Sequence, residues 1–197
     1  VYQRIIPADL NLTWDHGTNH SLIVGVDYQN AQYYTFSDPG IGFDQYVNKS
    51  RAFQYGIYTQ EELNFGALTA RGGIRYNFLQ TSIDLISGGN PGEPVTSYQN
   101  FLWSGGLKYA LENGISIFAN AGNSFIAPGL KAMGGTIALE DEGVAGMHGQ
   151  LPNPDLSSES GIGSDFGVNA KLFKKFKLSA RGFYMKVDDA VVDIRVS

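Results

Sequence analysis

The stretch LTARGGIRYNF, residues 68–78, alternates between two kinds of side chain without a break. Successive residues of an extended chain point to opposite faces, so Leu68, Ile74 and Tyr76 share one face while Arg71 and Arg75 share the other. A sheet in a water-soluble protein turns its apolar face toward a core, whereas a membrane barrel turns that face toward lipid and encloses the arginines in an aqueous lumen. The stretch therefore predicts a strand and is compatible with two opposite folds.

The same alternation recurs along the chain and predicts about eight strands, close to the ~9 to 11 residues that a tilted membrane strand needs. We place them at residues 8–15, 20–29, 52–60, 68–78, 97–111, 114–125, 159–172 and 177–192. Short turns alternate with long loops, which lie at residues 30–51, 79–96 and 126–158. Antiparallel strands joined in this order carry the long loops at one end and the tight turns at the other, which is typical of outer-membrane barrels.

Aromatic residues gather near both ends of the predicted strands, as expected where strands enter the two headgroup zones of a membrane. Near the long loops lie Tyr28, Tyr55, Tyr76, Phe78, Phe101, Trp103 and Phe125; near the short turns lie Trp14, Phe65, Tyr109 and Phe173. The sequence thus favours an all-β fold, an antiparallel transmembrane β-barrel segment with the arginine face wet and enclosed. The alternative is a water-soluble, lipocalin-like barrel, which would need an apolar interior and short loops at both ends.

The composition argues against several classes of function. The net charge is −5, from 14 basic and 19 acidic residues, without the clustered basic stripe that binds nucleic acid. The chain has no cysteine and only three histidines, with no spacing that would set up a nucleophile, a base or a metal site, so we expect neither an enzyme nor a cofactor. His16 and His20 flank a short turn and are expected to be solvated. The acidic run at residues 139–142 is expected to be a solvated loop face rather than a cation site.

Six short motifs follow one another in a consistent order between Gly25 and Val191. They are GVDYQ at 25–29, GIYTQEE at 56–62, GIRYN at 73–77, SFIAPGL at 124–130, NPDLSSES at 153–160 and FYMKVDDAV at 183–191. Together they resemble the barrel of a TonB-dependent outer-membrane receptor of the siderophore-receptor type. The chain departs from the family pattern at Ile126, Ser158 and Asp165, where Arg, Pro and Glu are usual.

The resemblance implies a larger barrel of roughly 22 strands with a plugged lumen. It identifies residues 1–197 as a partial barrel domain from the C-terminal half, without the plug domain or the last strands. It further implies energy-coupled uptake of a ferric siderophore or similar large nutrient across the outer membrane of a Gram-negative bacterium. The implied partners are outer-membrane lipid, the nutrient, and TonB acting through the plug. Relatives also handle vitamin B12, haem and carbohydrate, and a small stand-alone outer-membrane barrel with a structural or adhesive role stays open as an alternative.

Two groups of residues are candidates for ligand binding. The first is the cationic set on the predicted lumen wall, Arg71, Arg75, Lys108 and Arg181, which would attract an anionic ligand or else pair with Asp27 and Asp165 to hold the wall together. The second is an aromatic set predicted in the first long loop, Tyr33, Tyr34, Phe36, Phe43 and Tyr46. Such a set would form a cage for a ferric chelate or pack the loop against its neighbours.

Overall fold

Eight antiparallel strands make up nearly all of the described chain. The computed structural model describes residues 1–37, 45–86, 95–137, 142, 149–172 and 176–191. The strands are β1 (Tyr2–His16), β2 (His20–Ser37), β3 (Gln45–Phe65), β4 (Leu68–Leu85), β5 (Val95–Ala110), β6 (Ile115–Ile126), β7 (Glu159–Leu172) and β8 (Phe176–Asp188). A one-turn 3-10 helix, Glu112–Gly114, joins β5 to β6, and a short helix α1, Leu130–Gly134, follows β6. The prediction of an all-β antiparallel segment is confirmed.

Each strand pairs with the next one in the chain, giving a single sheet in the order β1 to β8. Within the described residues β1 and β8 are the two edges of this sheet, so the sheet is open. A small barrel closed by these strands alone would need β1 to pair with β8, and the register shows no such pairing. The arrangement is that of part of a larger barrel.

The first five strands are longer than the sequence indicated, and β1 already begins at Tyr2 instead of residue 8. The predicted long loop at residues 30–51 is wrong for most of its length, because β2 continues to Ser37 and β3 begins at Gln45. The predicted loop at 79–96 shortens in the same way, since β4 continues to Leu85 and β5 begins at Val95. Backbone pairing continues there although neither face is uniformly apolar, and the pattern of apolar residues therefore ends before the strand does.

One tight turn also lies later than predicted. Phe65 of β3 pairs directly with Leu68 of β4, which leaves a two-residue turn at Gly66 and Ala67 instead of a turn beginning at Glu61. Gly66 has φ +63°, a left-handed conformation that glycine adopts without steric cost. The turn chemistry thus fixes the register between β3 and β4.

The sheet has one apolar face and one polar face. Leu10, Val26, Ile57 and Tyr76 are consecutive cross-strand neighbours on the apolar face, and Leu10 keeps 72% of its surface exposed. The opposite face carries Asp27, Arg75 and Asn77, and the α1 segment folds over its long-loop end, so we call it the inner face. A lipocalin-like barrel needs an apolar interior, whereas here the inner face is polar and the apolar face is exposed.

The buried core is small and lies at the long-loop end of the inner face. Ala31, Tyr33 and Leu130 form it, with Ala52 packed against them. Met133 of α1 and Ile83 of β4 are each only 1% exposed. Among the described residues no helix is long and apolar enough to cross a membrane.

Aromatic contacts occur at both ends of the apolar face. Near the long loops, the rings of Tyr55 and Phe78 stack at 5.0 Å. Near the short turns, His16 and His20 lie in a ladder of rings between Trp14 and Phe65, with centroid spacings of 5.0, 5.5 and 5.2 Å. His16 also contacts Glu61, Nε2 to Oε1, at 2.7 Å. The two histidines are therefore part of an aromatic band and are not the simple solvated turn residues that we expected.

Candidate functional site

An ion pair on the inner face links two strands that are not neighbours. Arg75 of β4 reaches across β3 to Asp27 of β2, with Nη1 to Oδ2 at 2.7 Å and Nη2 donating to Oδ1 at 2.8 Å. The Arg75 Nε also donates to Asn77 Oδ1 at 2.5 Å. Both charged side chains are mostly buried, with 29% and 26% of their surface exposed. The pair therefore ties β2, β3 and β4 together on the wall.

Glycine provides the space for this crossing. A Cβ atom at Gly56 would lie 2.7 Å from Arg75 Cζ and 2.8 Å from Asp27 Oδ2, so only glycine lets the guanidinium pass over β3. A Cβ atom at Gly25 would likewise lie 2.7 Å from Tyr58 Cε1. The Tyr58 ring in turn lies 5.6 Å from Arg75 Cζ, within cation–π range. These contacts explain why glycine begins the GVDYQ and GIYTQEE motifs.

Two of the other three predicted cations also have carboxylate partners. Arg71 lies directly opposite Glu62 and donates to it through Nε at 3.0 Å and through Nη2. Arg181 Nε lies 3.0 Å from Asp165 Oδ2.

The remaining cation, Lys108, has no carboxylate partner among the described residues; its cross-strand neighbours are Thr69 and Phe118. The pairings of Arg75 with Asp27 and of Arg181 with Asp165 are those that the sequence suggested as the structural alternative. Ligand contact by the four cations stays a prediction.

The predicted aromatic set does not lie in a loop. Tyr33, Tyr34 and Phe36 belong to β2, because that strand extends to Ser37, and their predicted loop location is wrong. Tyr33 points to the inner face and is 2% exposed, whereas Tyr34 points to the opposite face, where its ring lies 5.7 Å from that of Tyr2. Tyr46 belongs to β3 opposite Phe36, its side chain lying outside the described residues, as does Phe43. One cage cannot include both Tyr33 and Tyr34.

A segment that sequence reasoning missed covers part of the inner face. We call it the strap; it comprises residues 127–137 and 149–158, between β6 and β7. The wall donates hydrogen bonds to backbone carbonyls of the strap: Tyr33 to Gly135 at 3.2 Å, Asn48 to Ile137 at 3.3 Å, Ser50 to Leu130 at 3.4 Å and Tyr98 to Leu156 at 2.8 Å. Leu130 and Met133 are buried against the same wall. These apolar residues, three apart in a long loop, were the available signal.

The two halves of the strap are joined to each other. Thr136 N donates to the Gln150 carbonyl at 2.7 Å, and Gln150 N donates to Thr136 Oγ1 at 2.7 Å. Asn153 N, at the start of the NPDLSSES motif, donates to the Met133 carbonyl at 3.0 Å. The strap therefore closes on itself before β7 begins.

Burial affects the two tyrosines that hold the strap. It raises the pKa of Tyr33 and of Tyr98 above the ordinary value for a phenol. Both lie beyond the aromatic band at the long-loop end. Their hydroxyls consequently stay protonated at neutral pH and remain hydrogen-bond donors.

The sheet separates between β5 and β6 next to the strap. Their pairing ends at Ser104 and Gly122, and the Asn123 side chain then takes over: Trp103 N donates to its Oδ1 at 2.6 Å, and its Nδ2 donates to the Phe101 carbonyl at 2.9 Å. The amide side chain replaces the partner strand for these two backbone groups. Without the Asn123 side chain, the Trp103 N–H and the Phe101 carbonyl would lack these hydrogen-bond partners.

The described part of the chain contains no group of three or more His, Asp or Glu side chains that could hold an ion. The acidic run at residues 139–142 lies outside the described residues except for Glu142.

Comparison with known families decides the assignment. The family model "TonB dependent receptor-like, beta-barrel" matches residues 2–197. The chain belongs to the TonB-dependent receptor β-barrel family. The members of this family are transport receptors rather than enzymes. No curated protein sequence matches the chain.

Solved structures of iron and copper transport proteins share the fold. The ferric-catecholate import receptor Fiu of E. coli K12 aligns with a TM-score of 0.67 and 17% identity over 94% of this chain and 31% of its own. The copper transporter OprC aligns with a TM-score of 0.67 and 16% identity over 94% of this chain and 30% of its own. The FrpB iron transporter of Neisseria meningitidis aligns with a TM-score of 0.63 and 13% identity over 95% of this chain and 30% of its own. The chain thus spans about a third of these structures. At such identities the likeness shows the fold alone.

Proposed function

We propose that this chain is part of a larger, roughly 22-stranded barrel in a Gram-negative outer membrane that takes up a ferric siderophore or a similar large nutrient. The family match over residues 2–197 is the observation that carries the proposal. The open edges of β1 and β8 support the partial-barrel assignment, as does the chain's coverage of 31% of the Fiu structure. In this proposal the plug domain and the last strands lie outside the 197 residues.

The wall residues and the strap have different proposed roles. Arg75 is paired with Asp27, so we assign it to holding the wall. The candidate contacts for an anionic chelate in the lumen are the more exposed Arg71 and Arg181, together with Lys108, which has no carboxylate partner among the described residues. Tyr33 is covered by the strap and would contact ligand only after the strap moves. TonB would act through the plug to let the ligand pass, with energy from the inner membrane.

The proposal is tested by transport through the complete receptor. Cells that lack their own siderophore receptors and express the receptor are given radioactive iron as ferric catecholate, ferric hydroxamate or ferric citrate, with haem and copper offered separately. We expect accumulation of one ferric chelate that disappears in cells without TonB, and an inactive plug-deleted receptor serves as the matched control. Uptake that persists without TonB, or uptake of copper alone, would overturn the proposal.

A further inference from the structure

The apolar face ends at nearly the same register in four neighbouring strands. The outward-facing residues that directly follow Ile6 in β1, Tyr28 in β2, Phe53 in β3 and Phe78 in β4 toward the long loops are polar, and the aromatic pair Tyr2 and Tyr34 lies further out. Because the register aligns these positions, the change from apolar to polar residues forms one boundary across the sheet. In a membrane, such a boundary lies where hydrocarbon meets headgroups.

Three cations lie just beyond this boundary, and we call them the outer basic patch: Arg4, Lys49 and Arg51. Arg4 and Arg51 are the cross-strand neighbours of Gln32 on its two sides, so their Cα atoms are about 10 Å apart. Each has an extended side chain that can bridge this distance to a shared anion. The patch is exposed, with 54% of the Arg51 side chain accessible.

The patch has more positive than negative charge. Asp84 is its carboxylate, with Arg51 Nη2 at 2.8 Å from Oδ1 and Lys49 Nζ at 3.7 Å from Oδ2. Arg4 has no ion-pair partner in the described part of the chain. Three cations against one carboxylate leave an excess of two positive charges, whereas Arg71, Arg75 and Arg181 on the inner face each have a carboxylate.

The depth of the patch suits a lipid headgroup. Arg51 lies four residues beyond Tyr55 on β3, which is about 13 Å along the strand and about 10 Å along the membrane normal for a typical strand tilt. Guanidinium groups bind phosphate oxygens through paired N–H donors. We propose that the outer basic patch binds the phosphate-bearing headgroup of an anionic membrane lipid. The occupant is a lipid rather than a soluble anion because the patch lies on the same face as the lipid-facing surface, directly beyond its boundary.

The inference requires the barrel to lie in a membrane but is independent of what it transports. The complete receptor is reconstituted into vesicles of equal parts phosphatidylglycerol and phosphatidylcholine and extracted in mild detergent, and its retained lipids are counted by native mass spectrometry. Each juxtamembrane cation strengthens binding to anionic lipid by about fivefold, so the excess of two positive charges predicts retention of phosphatidylglycerol in about 25-fold preference. The triple variant Arg4→Gln, Lys49→Gln, Arg51→Gln should lose this preference.

A matched triple variant of inner-face cations, Lys108→Gln, Lys171→Gln and Lys177→Gln, changes the net charge equally and should keep the preference. Arg4→Gln alone removes no ion pair among the described residues, so it tests the patch without a folding risk and should lower the preference about fivefold. Unchanged lipid retention in Arg4→Gln and in the outer triple variant overturns the proposal. An equal loss of the phosphatidylglycerol preference in the inner triple variant would also overturn the proposal. Full displacement of the bound lipid by millimolar inorganic phosphate would overturn it as well.

Discussion

Gly56→Ala is expected to destabilise the barrel by separating the Arg75–Asp27 ion pair, because the added methyl would crowd both side chains. The added methyl would lie 2.7 Å from Arg75 Cζ, so the guanidinium must leave its path over β3 and separate from Asp27. Gly72→Ala on β4 is the matched control, because a Cβ there meets nothing within 4 Å. Both substitutions are glycine to alanine within a strand of the same sheet.

The magnitude follows from the burial of the ion pair. Hydrogen bonds to charged groups contribute about 1.5–3 kcal/mol, and exposed pairs less than about 1 kcal/mol. With 29% and 26% of the two side chains exposed, we expect the Arg75–Asp27 pair to be worth about 2 kcal/mol. Alanine is favoured over glycine within a strand by about 0.5–1 kcal/mol in both variants. Their difference of about 2 kcal/mol therefore measures the lost pair.

The assay is denaturant unfolding of the complete receptor in detergent, followed by tryptophan fluorescence. Gly56→Ala should have a lower unfolding midpoint than Gly72→Ala. In an Arg75→Gln, Asp27→Ala background, where neither side chain lies over Gly56, the two alanine variants should be equally stable. If Gly56→Ala is as stable as Gly72→Ala in the wild-type background, the glycine is not required for the crossing and the reasoning is refuted.

Three further changes test the strap, the strand separation and the second wall pair. Ser50→Cys with Gly134→Cys should form a disulfide on oxidation, because a Cβ at Gly134 lies 3.7 Å from Ser50 Cβ. With the disulfide formed, nutrient uptake should fall about tenfold, and it should recover on reduction. Ser50→Cys alone should leave nutrient uptake unchanged. Asn123→Leu leaves two backbone groups of β5 without a partner and should cost about 1–2 kcal/mol in denaturant unfolding. Asp165→Asn removes the charge that Arg181 contacts, and its unfolding midpoint should drop, while Asp188→Asn at an exposed pair should leave the midpoint unchanged.

The strand pattern and the two faces of the sheet were predictable, because alternation reports directly which residues share a face of a strand. The strand lengths were not. Beyond Tyr28 the chain has left the lipid, so both faces are polar or aromatic and residues such as Tyr33 and Tyr34 have no pattern that distinguishes strand from loop. The pairing of Arg75 with Asp27 was open as an alternative, but its geometry depends on a register that the turn at Gly66 sets.

The polar attachment of the strap could not have been predicted for a different reason: it uses the strap's own backbone carbonyls, which leave no trace in the sequence, so only the apolar Leu130 and Met133 gave a signal. The same feature bears on how firmly it is held. Four hydrogen bonds at about 1 kcal/mol each and two buried apolar side chains at about 2 kcal/mol each give roughly 8 kcal/mol, and the chain entropy regained on release reduces this sum. A ligand of micromolar affinity supplies about 8 kcal/mol on binding. A ligand that has to displace the strap must therefore draw on more than this binding free energy to keep a net affinity, and the reversible disulfide between positions 50 and 134 would prevent the displacement.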